Sequence, residues 1–312
     1  MKYNIIFYDE YMPKFDGNYK NLNKTCFFIY ENIESAKQGV MYGSTGFIVA
    51  IQSIKAGIAY IYAITNKHCI QNRNPVLRFN GKNNELVYIQ TQQNDWYSLD
   101  YDVAVCELHP DNMKNTDFKF IDSSLFITNN VLSSQSISEG EDCFMIGRFV
   151  NYDGNINYNK PSMRFGNISI LDANIIHPYS TQYPNSYRKI HRSHLLDMRA
   201  RTGYSGSPVF VYRTGTSTLS NQGISIGGNF LGLLGIQWGI IPDNVNDKNI
   251  FNNSILECNS HNANDLANMS IVCSADYILE TLNIPILQNR RKEANDMIIK
   301  ANSAQLTTNT LT

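Results

Sequence analysis

Twelve short segments rich in Ile, Val, Tyr and Phe, separated by Gly, Asn and Lys turns such as Asn80-Gly81-Lys82, constrain this chain more than any other feature. Six fall between residues 20 and 125, at 26–30, 46–51, 58–64, 76–79, 86–90 and 103–108. Six more lie at 143–147, 163–170, 208–212, 224–226, 232–238 and 269–272. Apolar, β-branched runs interrupted this often predict an all-β chain. Between the two sets, residues 110–140 are polar and rich in Ser and Asn, as a connection between two strand-built units would be. With 312 residues, 43% of them hydrophobic, there is apolar surface for one large core or two ordinary ones.

Other stretches read differently. Residues 179–193 form a polar, Tyr-rich loop, and 244–268 an asparagine-rich insertion expected to be mobile. Residues 275–282 space Tyr277, Ile278 and Leu282 as a helix does, with Ser274 as N-cap and Asp276 in the first turn. After Pro285 a second helix is expected over 286–301, with Arg290, Arg291 and Lys292 on a solvated face. The expected division is 1–125, a link over 126–140, a second unit over 141–274, helices over 275–302 and a disordered tail over 303–312.

Reactive chemistry is suggested first by residues 203–208, GYSGSP, which open onto the apolar run Val209, Phe210, Val211, Tyr212. Gly203 and Gly206 permit backbone angles that a side chain forbids, so neighbouring N–H groups can converge on one point beside the Ser205 hydroxyl. A plain Gly/Ser turn would look the same. A serine nucleophile also needs a base and a group that holds the base's tautomer. Among six histidines, His68 directly follows the apolar run at 58–64, and Asp102 leads straight into Val103-Ala104-Val105. A carboxylate entering a buried strand wants a partner. Asp100 and Asp95 are rivals for that role, further back in the polar segment.

These segments resemble those of bacterial trypsin-like serine peptidases, a group with HtrA-like and glutamyl endopeptidase-like members. TNKHCI at 65–70 is similar to their T-N-x-H segment, YDVAV at 101–105 to D-[IV]-A-[VL], and GYSGSPVF at 203–210 to G-x-S-G-[SG]-P-V. GSTGFIV at 43–49 resembles the strand before the histidine, and GIQWG at 235–239 the strand that binds substrate backbone. The resemblance implies two six-stranded antiparallel β-barrels of the chymotrypsin type with C-terminal helices, the first barrel carrying His68 and Asp102 and the second Ser205. It implies a serine endopeptidase acting through Ser205, His68 and Asp102, with the Gly203 and Ser205 N–H groups as oxyanion hole. A catalytically inactive binding module on the same fold is the other reading.

The resemblance implies no cofactor and no metal, and the six cysteines show no metal-ligand spacing. Cys69 follows His68 where secreted relatives carry a bridged cysteine, but Ser44 and Thr45 stand where its partner would be, so free thiols and a cytoplasmic location are expected. Net charge is −1, which gives no general pull toward nucleic acid or an anionic membrane; the expected partner is a protein or peptide substrate. No stretch approaches the roughly 18 apolar residues of a membrane span, and the apolar run near residue 5 is too short for a signal peptide. Tyr204 replaces the Asp that pairs with a new N-terminus in secreted trypsins, leaving a preformed site, an activating partner or the C-terminal residues to order it. For substrate binding the resemblance points to Arg199, six residues before Ser205, and to Gln237, Trp238 and Gly239 on the wall strand. Arg199 facing the pocket would favour cleavage after Asp or Glu; pointing to solvent or to Asp197, it would not.

Overall fold

The computed structural model describes residues 6–7, 19–40, 43–54, 57–83, 85–154, 156–176, 190–213, 218–220, 223–225, 230–242 and 268–309. Strands β1 (Ile6–Phe7), β2 (Cys26–Tyr30), β3 (Ser44–Gln52), β4 (Ile58–Thr65), β5 (Val76–Asn80), β6 (Leu86–Gln90), β7 (Trp96–Tyr97), β8 (Ala104–Glu107) and β9 (Ile121–Asp122) form one sheet. Its hydrogen-bonded path runs β6-β5-β2-β3-β4-β8-β7, with β1 on the start of β4 and β9 parallel to β3. The sequence pattern shows six of these strands; β1, β7 and β9 have two residues each, too few to carry a periodicity.

The second unit is a closed barrel, β10-β11-β12-β17-β16-β13, built from β10 (Asp142–Gly147), β11 (Ser162–Ile176), β12 (Ile190–Asp197), β13 (Pro208–Arg213), β16 (Phe230–Pro242) and β17 (Asn268–Ser274). A separate hairpin pairs β14 (Thr218–Ser220) with β15 (Gly223–Ser225). Residues 224 and 225 therefore belong to that hairpin rather than to the barrel, and 226 lies outside the described residues. The sixth barrel strand is β12, whose first residues fell within the expected loop. Ser193 and His194 disguised it, being polar residues that the barrel buries, and Ser193 Oγ accepts the Trp238 indole N–H at 3.2 Å. The rest of that loop and nearly all of the Asn-rich insertion lie outside the described residues.

Many strands are buried on both faces, which is why they read as continuous apolar runs rather than alternating ones. On β3, Ile48 and Ala50 join Phe27, Ile61 and Ala63 in the core of the first sheet. Phe47 and Val49 point the other way, into a cluster shared with Phe144, Phe210 and Ile236 of the barrel. Cys143, Met145, Val209, Val211 and Val272 fill the barrel itself. Residues 110–140 are more ordered than a bare connection, with helices α3 (Pro110–Met113) and α4 (Asn129–Ser134). Ile121 still pairs with β3, whereas the Ile127 N–H already donates to the Leu233 carbonyl of the barrel at 2.8 Å.

Helix α5 (Ala275–Leu282) starts where the sequence places it, with Ser274 Oγ accepting the Asp276 N–H at 3.2 Å. Ala275, Ile278 and Leu282 are buried in the cluster between the two units. Burying Ile278 and Leu282 is worth about 1.5–3 kcal/mol each relative to exposure. Helix α6 (Pro285–Asn309) runs past the expected end at 301, so residues 303–309 are helical rather than a disordered tail; 310–312 lie outside the described residues. Of the basic run on α6, Lys292 is exposed but Arg290 and Arg291 are engaged by the fold. Arg290 pairs with Glu107, and Arg291, only 9% exposed, donates to Tyr62 OH, the Leu282 carbonyl and Asn283 Oδ1. Two cations that look like surface decoration in the sequence therefore dock the C-terminal helix onto the first sheet.

Candidate active site

Strand pairing brings together two residues that lie 34 apart in sequence. His68 sits in the short helix α2 (Lys67–Ile70) just after β4, and Asp102 stands just before β8; β4 and β8 are neighbours, with Thr65 opposite Ala104. His68 Nδ1 lies 2.6 Å from Asp102 Oδ2, and the His68 backbone N–H donates to Asp102 Oδ1 at 2.9 Å. Asn66 Nδ2 donates to the Asp102 carbonyl at 2.9 Å, fixing the backbone on which that carboxylate rides. Asp102 is 4% exposed, so its charge is committed to His68. Of its rivals, Asp95 accepts the Gln92 N–H and Asp100 is exposed. Burial opposes the His68 imidazolium, but the Asp102 carboxylate, with a smaller contribution from Cys69, more than offsets it and lifts the His68 pKa well above the usual value.

The turn that carries Ser205 needs its glycines. Gly203 has φ 98° and Gly206 φ 85°, and a Cβ would fall 2.6 Å from the Arg148 carbonyl oxygen at the first and 2.0 Å from that of Thr45 at the second. Around Ser205 the Tyr204 N–H donates to Arg201 O at 3.1 Å, the Gly206 N–H to Gln237 O at 2.9 Å and the Ser207 N–H to Tyr204 O at 2.9 Å. Among the described residues, neither the Gly203 nor the Ser205 N–H has an acceptor. Two unsatisfied donors flanking a serine that is itself only 7% exposed make a site able to take up negative charge.

Thr45, a polar residue in the apolar β3, ties this turn to the first sheet. Its N–H donates to the Ser205 carbonyl at 2.9 Å, and its hydroxyl donates to the Gly203 carbonyl at 2.7 Å while accepting the Arg148 N–H at 2.9 Å. Its own carbonyl accepts from Thr65 Oγ1 at 2.8 Å, three residues before His68. Both carbonyls that bracket the nucleophile are thus anchored by one residue of the sheet that carries His68. Arg148 is fully buried, donating from Nε to Asp153 Oδ2 at 2.5 Å and stacking over Tyr30 at 4.5 Å. Sequence reasoning missed Thr45 and Arg148. A threonine inside GSTGFIV is a signal in hindsight; nothing in the sequence marks Arg148.

The candidate substrate-binding residues fall in two places. Gln237 is fully buried; its Nε2 donates to the Gly239 carbonyl of its own strand at 2.9 Å, while its Oε1 is buried without a partner among the described residues. Trp238 is 3% exposed and belongs to the core between the units. Arg199 is exposed and lines a cavity of about 420 Å³ with Phe149, Ser162, Arg164, Phe165 and Tyr204; none of Gln237, Trp238 and Gly239 lines it. Arg199 forms no ion pair with Asp197. Tyr204 is fully buried, its hydroxyl bonded to Ser162 Oγ and accepting from Arg164 Nε at 3.0 Å.

No cluster of metal-ligating side chains occurs among the described residues, and no helix there is long and apolar enough to cross a membrane. Cys26, Cys69, Cys106, Cys143 and Cys273 are buried free thiols; Cys258 lies outside the described residues.

Residues 44–216 match the family described as trypsin-like peptidase domain. No curated protein matches the chain. Similar solved structures include Deg5, at 12% identity and TM-score 0.45, covering 84% of this chain and 89% of that one. The MamO protease domain from Magnetospirillum magneticum, apo form, has 14% identity and TM-score 0.46 over 85% of this chain and all (100%) of that one. The Rv3671c protease from M. tuberculosis, active form, has 15% identity and TM-score 0.45 over 83% and 80%.

Proposed function

The chain belongs to the trypsin-like peptidase domain family, and from that premise we propose that it is a serine endopeptidase that hydrolyses peptide bonds in protein or peptide substrates. The observation that carries the reading is the 2.6 Å bond between His68 Nδ1 and Asp102 Oδ2, joined through Thr65 and Thr45 to a glycine-framed Ser205.

In this mechanism Ser205 Oγ attacks the scissile carbonyl carbon while His68 Nε2 takes the hydroxyl proton. Asp102 accepts from Nδ1–H throughout, holding the productive tautomer and stabilising the imidazolium. The raised His68 pKa is the static sign of that stabilisation. Negative charge develops on the carbonyl oxygen and is received by the Gly203 and Ser205 N–H groups, a donor being worth about 3 to 4 kcal/mol in enzymes where one has been removed. His68 then protonates the leaving amine, the C–N bond breaks and an acyl-Ser205 ester remains. Water, deprotonated by His68, releases the acid and restores the hydroxyl. The buried free thiols support residence in a reducing compartment, the cytoplasm in this reading.

Incubating wild type and Ser205→Ala with a quenched-fluorescent peptide library tests the reading. Turnover that disappears in Ser205→Ala supports it. Turnover that persists in the variant overturns Ser205 as the nucleophile, and no turnover under any condition overturns the reading in favour of a binding module on this fold.

A further inference from the structure

The cavity behind the nucleophile turn is walled by Ser162, Met163, Arg164 and Phe165 of β11 on one side and by Asp197, Met198 and Arg199 on the other, with Phe149 and Tyr204 closing it. Its volume, about 420 Å³, lies in the range of small-molecule sites. Tyr204 is the residue between the two proposed oxyanion donors, so its side chain reports directly on their geometry. That side chain meets Ser162 and Arg164 rather than a charge of opposite sign.

Arg164 is aligned by its neighbours, its guanidinium 5.2 Å from the centre of the Tyr204 ring and 5.4 Å from that of Phe149, with Nε spent on Tyr204 OH. Its two terminal nitrogens have no acceptor among the described residues, and neither does Arg199. Asp197 lines the same space yet pairs with neither arginine. Two guanidiniums against one carboxylate, beside Phe149, Phe165, Met163 and Met198, make an electropositive cavity with apolar walls. Guanidinium is suited to a carboxylate by its paired N–H donors.

We propose that this cavity is an effector site for a carboxylate-bearing ligand with an apolar body, and that its occupancy, by fixing Arg164 and through it Tyr204, orders the Gly203–Ser205 turn. Binding itself stands without the peptidase reading; only the effect on the turn rests on it. By linkage, whatever factor the ligand adds to the affinity of a reversible transition-state analogue at Ser205, that analogue adds to the affinity of the ligand. A free amino-acid derivative and a peptide C-terminus share this chemistry, and the test separates them.

The experiment is calorimetric titration of the full chain with N-acetylphenylalanine, with its amide, and with a short peptide ending in phenylalanine as free acid or as amide. The free acids should bind with a dissociation constant of about 1 mM or tighter, as ligands of that size can, and the amides about tenfold or more weakly. Arg199→Gln, an exposed position where folding is not at risk, should weaken the free acids alone, and Arg164→Gln should do the same. Tighter binding of the peptide acid than of the amino-acid acid identifies a chain end as the ligand; equal binding identifies the small molecule. Equal affinity of acid and amide, undiminished affinity in both variants, or no heat from any acid overturns the site. Fluorophosphonate labelling of Ser205 with and without the bound acid then reads the coupling. Binding without any labelling sinks the peptidase reading alone, and binding with an unchanged labelling rate sinks the coupling to the turn.

Discussion

Replacing Thr45 by valine keeps the shape of the side chain and removes one hydroxyl, and the structure says what that hydroxyl does. It donates to the Gly203 carbonyl at 2.7 Å and accepts the Arg148 N–H at 2.9 Å, in a residue that is fully buried. Thr45→Val leaves both backbone groups buried without a partner, each at a cost of about 1–3 kcal/mol, so a stability loss of about 2–6 kcal/mol is expected. The second consequence is local. Without that anchor the Gly203–Tyr204 peptide is held only through the Tyr204 N–H bond to Arg201 O, and the N–H groups on either side of it, proposed to receive the oxyanion, lose part of their fixed direction; losing one such donor costs about 10²–10³ in kcat. Thr45→Ser restores both bonds and should recover most of the activity and stability. Urea denaturation gives the first quantity, and kcat with KM on a cleaved peptide gives the second, with the loss expected in kcat. A Thr45→Val protein less than about 0.5 kcal/mol weaker than wild type, the range of an ordinary surface change, and with unaltered kcat would refute the anchoring argument.

Peptidase activity should rise with pH to a midpoint above the ordinary histidine value, because burial lowers the His68 pKa but the pull of Asp102 outweighs it and leaves it raised, and only neutral His68 can accept a proton; Asp102→Asn should lower kcat severely and move the midpoint down. The proton on His68 stabilises the fold below the unfolded-state pKa near 6.5, and that contribution fades as pH climbs through the folded value. His194 acts in the opposite sense. Burial lowers its pKa to about 4, so stability should fall as pH drops from about 6.5 toward 4, by up to about 3 kcal/mol, and His194→Leu should remove that loss in acid-dependent denaturation curves. Arg291→Ala should cost about 3 kcal/mol in chemical denaturation by stranding Tyr62 OH and the Leu282 carbonyl, whereas exposed Lys292→Ala should cost less than about 0.5 kcal/mol.

The parts of this molecule legible in the sequence are those with local causes. Long strands such as β3 and β4 announce themselves because both faces are buried and the apolar run is unbroken. The Ser274 cap and the glycines at 203 and 206 are visible because only certain residues satisfy those backbone positions. What escaped notice depends on partners distant in the chain. Strand β12 was hidden because Ser193 and His194 are polar, and only the barrel supplies the neighbours that bury them. Arg290 and Arg291 looked solvated because Glu107 and Tyr62, on the first sheet, lie some 180 to 230 residues away. The burial of Gln237 was not legible either: the resemblance of GIQWG to a substrate-binding strand says nothing of how its side chains pack, and a bulge between Gln237 and Gly239 interrupts the alternation of β16 there. The pairing of His68 with Asp102 was legible because neighbouring strands carry them to one edge, whereas the Thr45 anchor required knowing how two units meet.

The account stands most directly on Ser205 being activated by His68. Treating wild type, Ser205→Ala and His68→Ala with a fluorophosphonate and locating the adduct by mass spectrometry measures this without knowledge of the substrate. The account predicts one adduct, on Ser205, absent from Ser205→Ala and formed about 10²–10⁴ times more slowly in His68→Ala, the usual worth of a general base. An unlabelled wild type, or a Ser205 that reacts as fast without His68, would contradict it.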